Sequence, residues 1–156
     1  MVRKVLSVLL VIFWMGFIFS FSNTKGDASS SFSEEMLIKI IEVVTPYEKG
    51  SEEMEKLVDK LHFPFRKLAH FTIYFILGVL VINAFLAFNM PKYSIIYAVL
   101  ICILYAISDE VHQLYVNDRK GNLGDVLLDS SGSCLSIYLI SRFYILRGKN
   151  EKAFNK

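Results

Sequence analysis

Long apolar stretches separated by polar breaks run along this chain, at residues 5–21, 68–88, 94–107 with a polar continuation to about 114, and 126–146. A bilayer core of roughly 30 Å takes about 20 helical residues, so the second and fourth stretches fit directly and the first and third need their flanking turns. Backbone polar groups in lipid must be satisfied within the segment, which leaves helices as the only choice for separate spans. The pattern predicts an all-α fold: a polytopic membrane protein, built as a small bundle of four transmembrane helices. Its spans lie at about 5–21, 68–88, 94–114 and 126–146, within one domain over residues 1–156.

Residues 22–67 form a polar outer segment with its own helical signals. Ser31 followed by Glu34 has capping-box spacing, and Met36, Leu37, Ile40, Ile41 and Val44 then share one helical face up to a stop at Pro46. Ser51 followed by Glu52 and Glu53 predicts a second start, with Leu57, Val58 and Leu61 apolar and an end before Pro64. Two short amphipathic helices are therefore expected, lying on the membrane surface or covering the mouth of the bundle.

Composition agrees with lipid as the solvent. The hydrophobic fraction is 54%, with 13 Phe and 8 Tyr, above the usual range for soluble domains. A net charge of +2 without a long Lys/Arg run gives no footprint for nucleic acid, which is excluded as a partner. Cys102 and Cys134 fall inside apolar stretches without zinc-type or CxxC spacing and read as small buried residues. The first span follows Arg3 and Lys4 as a signal peptide would, but Phe13, Trp14, Phe17 and Phe19 make it bulky and no clean A-x-A site follows. It reads as an uncleaved anchor.

Basic residues set the expected orientation. Arg3 and Lys4, Lys92 in the second turn, and Arg142, Arg147, Lys149, Lys152 and Lys156 fall on one side, whereas residues 22–67 hold seven basic and nine acidic residues. Both termini are predicted to be cytoplasmic in a multi-pass protein of the plasma membrane.

This topology collects the ionisable residues in one layer at the outer ends of three helices. Arg66, Lys67 and His70 open the second span, Asp109, Glu110, His112 and Gln113 close the third, Arg119 lies in the loop, and Asp125 and Asp129 open the fourth. Residues three or four apart share a face, which groups Arg66 with His70 and Tyr74, Asp109 with His112 and Gln113, and Asp125 with Asp129. Asp129 lies a turn deeper than Asp125, so it should be paired across to a neighbouring helix, with Arg66, Lys67 or Arg119 as natural partners. Helix-end charges also snorkel or hold helices together, but so mixed a set of acids, bases and cations exceeds what packing requires.

Three chemistries fit the layer. His70 or His112 as general base, with Asp109 or Glu110 orienting it and Arg66 and Arg119 holding an anionic head group, would make a hydrolase or transferase. Asp109, His112, Asp125 and Asp129 admit a divalent metal, although their spacing is a weak signal. Non-catalytic binding of a phosphorylated lipid or cell-wall precursor needs mainly Arg66, Lys67 and Arg119. A structural or partner-binding membrane protein without a small-molecule site is the remaining alternative.

The runs Arg66-Lys67-Leu68-Ala69-His70-Phe71 with Tyr74, Leu77 and Gly78, then Tyr105-Ala106-Ile107-Ser108-Asp109-Glu110-Val111-His112-Gln113, then Arg119, then Asp125-Val126-Leu127-Leu128-Asp129 with Gly132 complete the pattern. In order and spacing this resembles the VanZ-like family of bacterial membrane proteins, strongly from Arg66 to about Ile140 and more loosely over residues 5–33. One departure is Asn117-Asp118 before Arg119, where relatives often carry Pro-Gly. The family takes its name from a protein linked to resistance to teicoplanin and related lipoglycopeptides. The resemblance therefore implies an envelope role and leaves the biochemical activity open.

Overall fold

A computed structural model of the protein describes residues 1–23, 26–47, 50–88, 93–116 and 121–154, with side chains left out of account at 26–29 and 145–154. Five helices follow one another in these residues: α1 Val2–Ser22, α2 Gly26–Val44, α3 Glu52–Ala87, α4 Ser94–Gln113 and α5 Leu123–Phe154. Four of them, all but α2, are long and apolar enough to cross a membrane. The protein is thus an all-α, multi-pass bundle. Its apolar side chains point outward as much as inward: Phe13, Leu104, Leu127 and Phe143 are all more than 60% exposed. In water such a surface would be a liability, and in lipid it is the face the solvent demands.

The interior of the bundle is built from small residues on α4 and α5. Ser94, Ala98, Cys102 and Ala106 recur every fourth residue on α4 and are all buried, so one narrow stripe faces the core. On α5 the corresponding stripe holds Asp129, Ser133, Ser136 and Ile137. The most extensive contact joins α3 to α5, and it is made at backbone distance. A Cβ placed on Gly78 would lie 2.2 Å from the Ser136 hydroxyl and 2.6 Å from the Ser133 carbonyl, and one on Gly132 would lie 2.5 Å from the Phe71 carbonyl. Small residues permit this approach, the usual basis of helix association in lipid. The serines stay satisfied by bonding back to their own helix, Ser136 Oγ to the Ser133 carbonyl at 2.9 Å.

Polar contacts that cross helices fasten α1 to the rest. Trp14 Nε1 donates to the Ile73 carbonyl of α3 at 3.0 Å, and the Tyr105 hydroxyl of α4 donates to the Met15 carbonyl at 2.5 Å. Ile18 and Ser22, one turn apart, are its buried residues.

The outer segment departs from the sequence expectation. Helix α3 does not end before Pro64 but runs through it for 36 residues, about 54 Å at the rise of an α-helix. An interior proline forfeits one backbone hydrogen bond and costs about 3 kcal/mol. Here the helix is held on both sides of Pro64 by one apolar cluster, in which Met54, Val58 and Leu57 before it and Phe65 after it meet Leu37 and Ile41 of α2. Ser51 does cap α3, accepting from the Met54 amide at 3.3 Å. Helix α2 begins at Gly26, so Ser31 lies inside it, and it ends at Val44, two residues before Pro46. Among its described side chains Leu37 and Ile41 are the buried ones, while Met36, Ile40 and Val44 remain exposed. With α3 longer than a bilayer core is thick, its N-terminal part and α2 stand together at one end of the bundle.

Candidate functional site

Four helices send polar side chains to that end. Helices α3 and α5 run side by side in the same direction, so equivalent levels meet. Lys67 pairs with Asp125. One turn deeper, His70 Nδ1 lies 3.8 Å from Asp129 Oδ2, close enough for charge attraction and too far for a hydrogen bond. Asp129 is 3% exposed and its other oxygen has no hydrogen-bond partner.

Asp109 arrives from α4. Its Oδ2 accepts from the Ser22 hydroxyl of α1 at 2.8 Å and from Gln113 Nε2 at 3.2 Å, and Gln113 also reaches Ser22 at 3.3 Å. All three residues are buried. Asp109 Oδ1 remains without a partner, and so does the hydroxyl of Tyr74, one turn below His70. Tyr74 lies within electrostatic reach of both Asp109 and Asp129. Buried polar atoms left unbonded are costly. Three of them at one level mark a place that a ligand can complete.

A cavity of about 230 Å³ opens beside this group, between α1, α2 and α3. Arg66, His70 and Tyr74 line it from α3, Ser22 from α1, Ser33 from α2 and Asp109 from α4, while Ile18, Phe21, Phe32, Met36, Phe65, Ala69 and Ile73 make the remainder apolar. Helix α2 forms part of its wall and is tied to α3 by His62, whose Nε2 lies 3.0 Å from the Ser33 hydroxyl. No hydrogen bond or ion pair engages the Arg66 guanidinium among the described residues.

A family model, VanZ/LLP1, matches residues 7–146, which takes in the whole of this site. The chain belongs to the VanZ/LLP1 family. No curated protein matches it. No solved structure does so either.

Within this VanZ/LLP1 chain the expected layer divides. Arg66, His70 and Tyr74 share the cavity as their spacing implies, and Asp109 and Gln113 are bonded to each other. His112 turns away, stacking on Phe19 of α1 with ring centres 4.4 Å apart and its Nε2 unbonded. Glu110 is turned toward the connection to α5, accepting the Asn122 amide, so it holds the start of that helix. Lys67 and Asp125 serve each other. Asp129 therefore faces His70 rather than Arg66 or Lys67, because the close contacts at Gly78 and Gly132 set the register of α3 against α5 and place Asp125 at the level of Lys67. Arg119 lies outside the described residues, as do Asp118 and Lys92. No group of three or more His, Cys, Asp or Glu is arranged to hold a metal among the described residues.

Sequence reasoning missed Ser22, and it offered α2 as a cover for the mouth of the bundle without naming the residues that reach the site. Ser22 falls four residues after Ile18 at the end of an apolar helix, a polar position on the inward stripe. Nothing in the local pattern shows that Phe32, Ser33 and Met36 would close over Arg66 and His70.

Proposed function

We propose that this VanZ/LLP1 protein is a bacterial envelope protein whose polar site, on the extracytoplasmic face of the plasma membrane, binds or modifies a lipid-linked or cell-wall component and thereby affects susceptibility to teicoplanin-type glycopeptides. The observation that carries this reading is the buried Asp109 carboxylate, half of it unbonded, at the end of an apolar cavity that also holds Arg66 and His70. Such a combination suits an amphiphile: an apolar arm in the cavity and a polar head among the charged groups. Family membership supports the envelope role. The basic residues of the termini support the orientation.

Modification rather than binding is favoured by one contact, His70 beside Asp129. A carboxylate next to an imidazole orients it and supports its action as a general base, and closing a gap of 3.8 Å on substrate binding is ordinary for such pairs. In that version the protein is a hydrolase or transferase acting on a phospholipid or polyprenyl-linked head group. His70→Ala separates the functions of the site from its packing, since insertion depends on the apolar spans that this change leaves intact. The expected outcome is normal membrane abundance by immunoblot with teicoplanin susceptibility shifted to that of a strain lacking the protein. Unchanged susceptibility at normal abundance would overturn the proposal.

A further inference from the structure

We propose that the cavity between α1, α2 and α3 takes a single-chain glycerophospholipid, with its acyl chain against the apolar walls, its phosphate at Arg66 and its free glycerol hydroxyl donating to Asp109 Oδ1. This names the ligand of the site discussed above and rests on that reading. Size gives the first argument. At about 230 Å³ the cavity is smaller than the roughly 300 Å³ at which pockets begin to enclose a whole drug-sized molecule. It suits the glycerol end and the first part of one chain, the remainder of that chain staying in the bilayer.

Charge gives the second. Arg66 is a cation with no engaged partner among the described residues, and a guanidinium favours phosphate through paired hydrogen bonds. Asp109, 4% exposed, offers an unbonded carboxylate oxygen to the same cavity. A phosphate alone would satisfy Arg66 and be repelled by Asp109 and Asp129. A cation alone would satisfy Asp109, oppose Arg66 and leave the apolar walls unused. A hydroxyl a few bonds from a phosphate meets both demands, and the Tyr74 hydroxyl, close enough to interact with Asp109, borders the same place. In a diacyl lipid without a hydroxylated head group, such as phosphatidic acid, both remaining glycerol oxygens are esterified, so the donor is missing. A polyprenyl phosphate lacks it too.

Access lies beneath α2, whose Phe32 and Met36 line the cavity while remaining about half exposed. On this account a chain slides in from the lipid past these two residues. Trp14, the single tryptophan, is one turn from Ile18 and bonded to the Ile73 carbonyl, and both of those residues line the cavity. It can therefore report on a chain inside.

The experiment is fluorescence quenching of Trp14 in the full-length protein in detergent, titrated with lysophosphatidic acid carrying a brominated chain. Saturable quenching is expected, displaced by the unbrominated compound. Asp109→Asn should weaken it at least about tenfold, the scale of one charged hydrogen bond. Arg66→Gln should remove the preference over a brominated monoacylglycerol. Ala69→Phe fills the cavity and leaves every polar group in place, so it should abolish saturation even if Asp109→Asn folds poorly. Quenching that does not saturate, or that brominated diacyl phosphatidic acid produces equally, overturns the proposal, as does equal displacement by a polyprenyl phosphate. Teicoplanin susceptibility of the Ala69→Phe strain keeps the two ideas apart. Saturable lysophospholipid binding that Ala69→Phe abolishes, with susceptibility unchanged, leaves the ligand standing and removes the proposed role. Altered susceptibility without lysophospholipid binding to the unmutated protein does the reverse.

Discussion

On the side that meets α5, helix α3 is packed to backbone contact at Gly78 and Gly132, whereas on the side that meets α1 and α2 it leaves a cavity of about 230 Å³. Unbonded polar atoms occur on both sides, Asp129 Oδ1 among them on the seam, but the seam also holds paired groups. Along the seam Lys67 is paired with Asp125, and the Ser133 and Ser136 hydroxyls bond carbonyls of their own helix. Beside the cavity the Tyr74 hydroxyl and one Asp109 oxygen have no partner. In lipid no hydrophobic force draws helices together, so tight contact must come from small residues and dispersion. Space and unbonded groups kept in the same bundle are then features that packing does not explain.

Substitutions on the two sides should expose the contrast. The largest loss is expected at Gly132→Leu, whose Cβ alone would stand 2.5 Å from the Phe71 carbonyl. Backbone must move, at about 3 kcal/mol, the upper part of the usual range for overpacking, and membrane abundance together with melting temperature in detergent will show it. Next is Asp109→Ala, which removes the acceptor shared by Ser22 and Gln113. Loss of about 2 kcal/mol is expected for buried groups left unpaired, and a double-mutant cycle with Ser22→Ala should recover part of it. Glu110→Ala frees only the Asn122 amide and should cost about 1 kcal/mol. Because this residue faces the connection to α5, its variant should lose folded protein rather than activity per molecule, which susceptibility normalised to abundance will separate. The smallest effect is expected for Ala69→Phe on the cavity side, within about 0.5 kcal/mol, although the volume added is comparable to that at Gly132. A melting temperature as low as that of Gly132→Leu would show that the cavity does not accept added volume and would erase the contrast.

Much of this could be seen before any coordinates. Four apolar stretches of bilayer length leave the backbone one solution, so the spans and the all-α class follow directly. Depth then follows from position within a span, which is why Arg66, His70, Asp109 and Asp129 are expected in one layer, with Tyr74 on the face that Arg66 and His70 share. The continuous α3 was less legible, because Pro64 is a strong local stop and the cluster that overrides it joins Phe65 to Leu37, far apart in sequence.

What the chain by itself determined is therefore the set of helices and the depth of each polar group, both consequences of short-range periodicity and the thickness of lipid. What only the tertiary structure decided is the rotation and neighbour of each helix. Those depend on contacts such as Gly132 on Phe71 and Ser22 on Asp109, 87 residues apart. Periodicity says that His112 and Gln113 both lie near the end of α4, but rotating that helix to put Asp109 on Ser22 sends Gln113 inward and His112 onto Phe19. Adjacent residues on a helix point about 100° apart. One long-range contact thus selects which of the legible polar residues can meet.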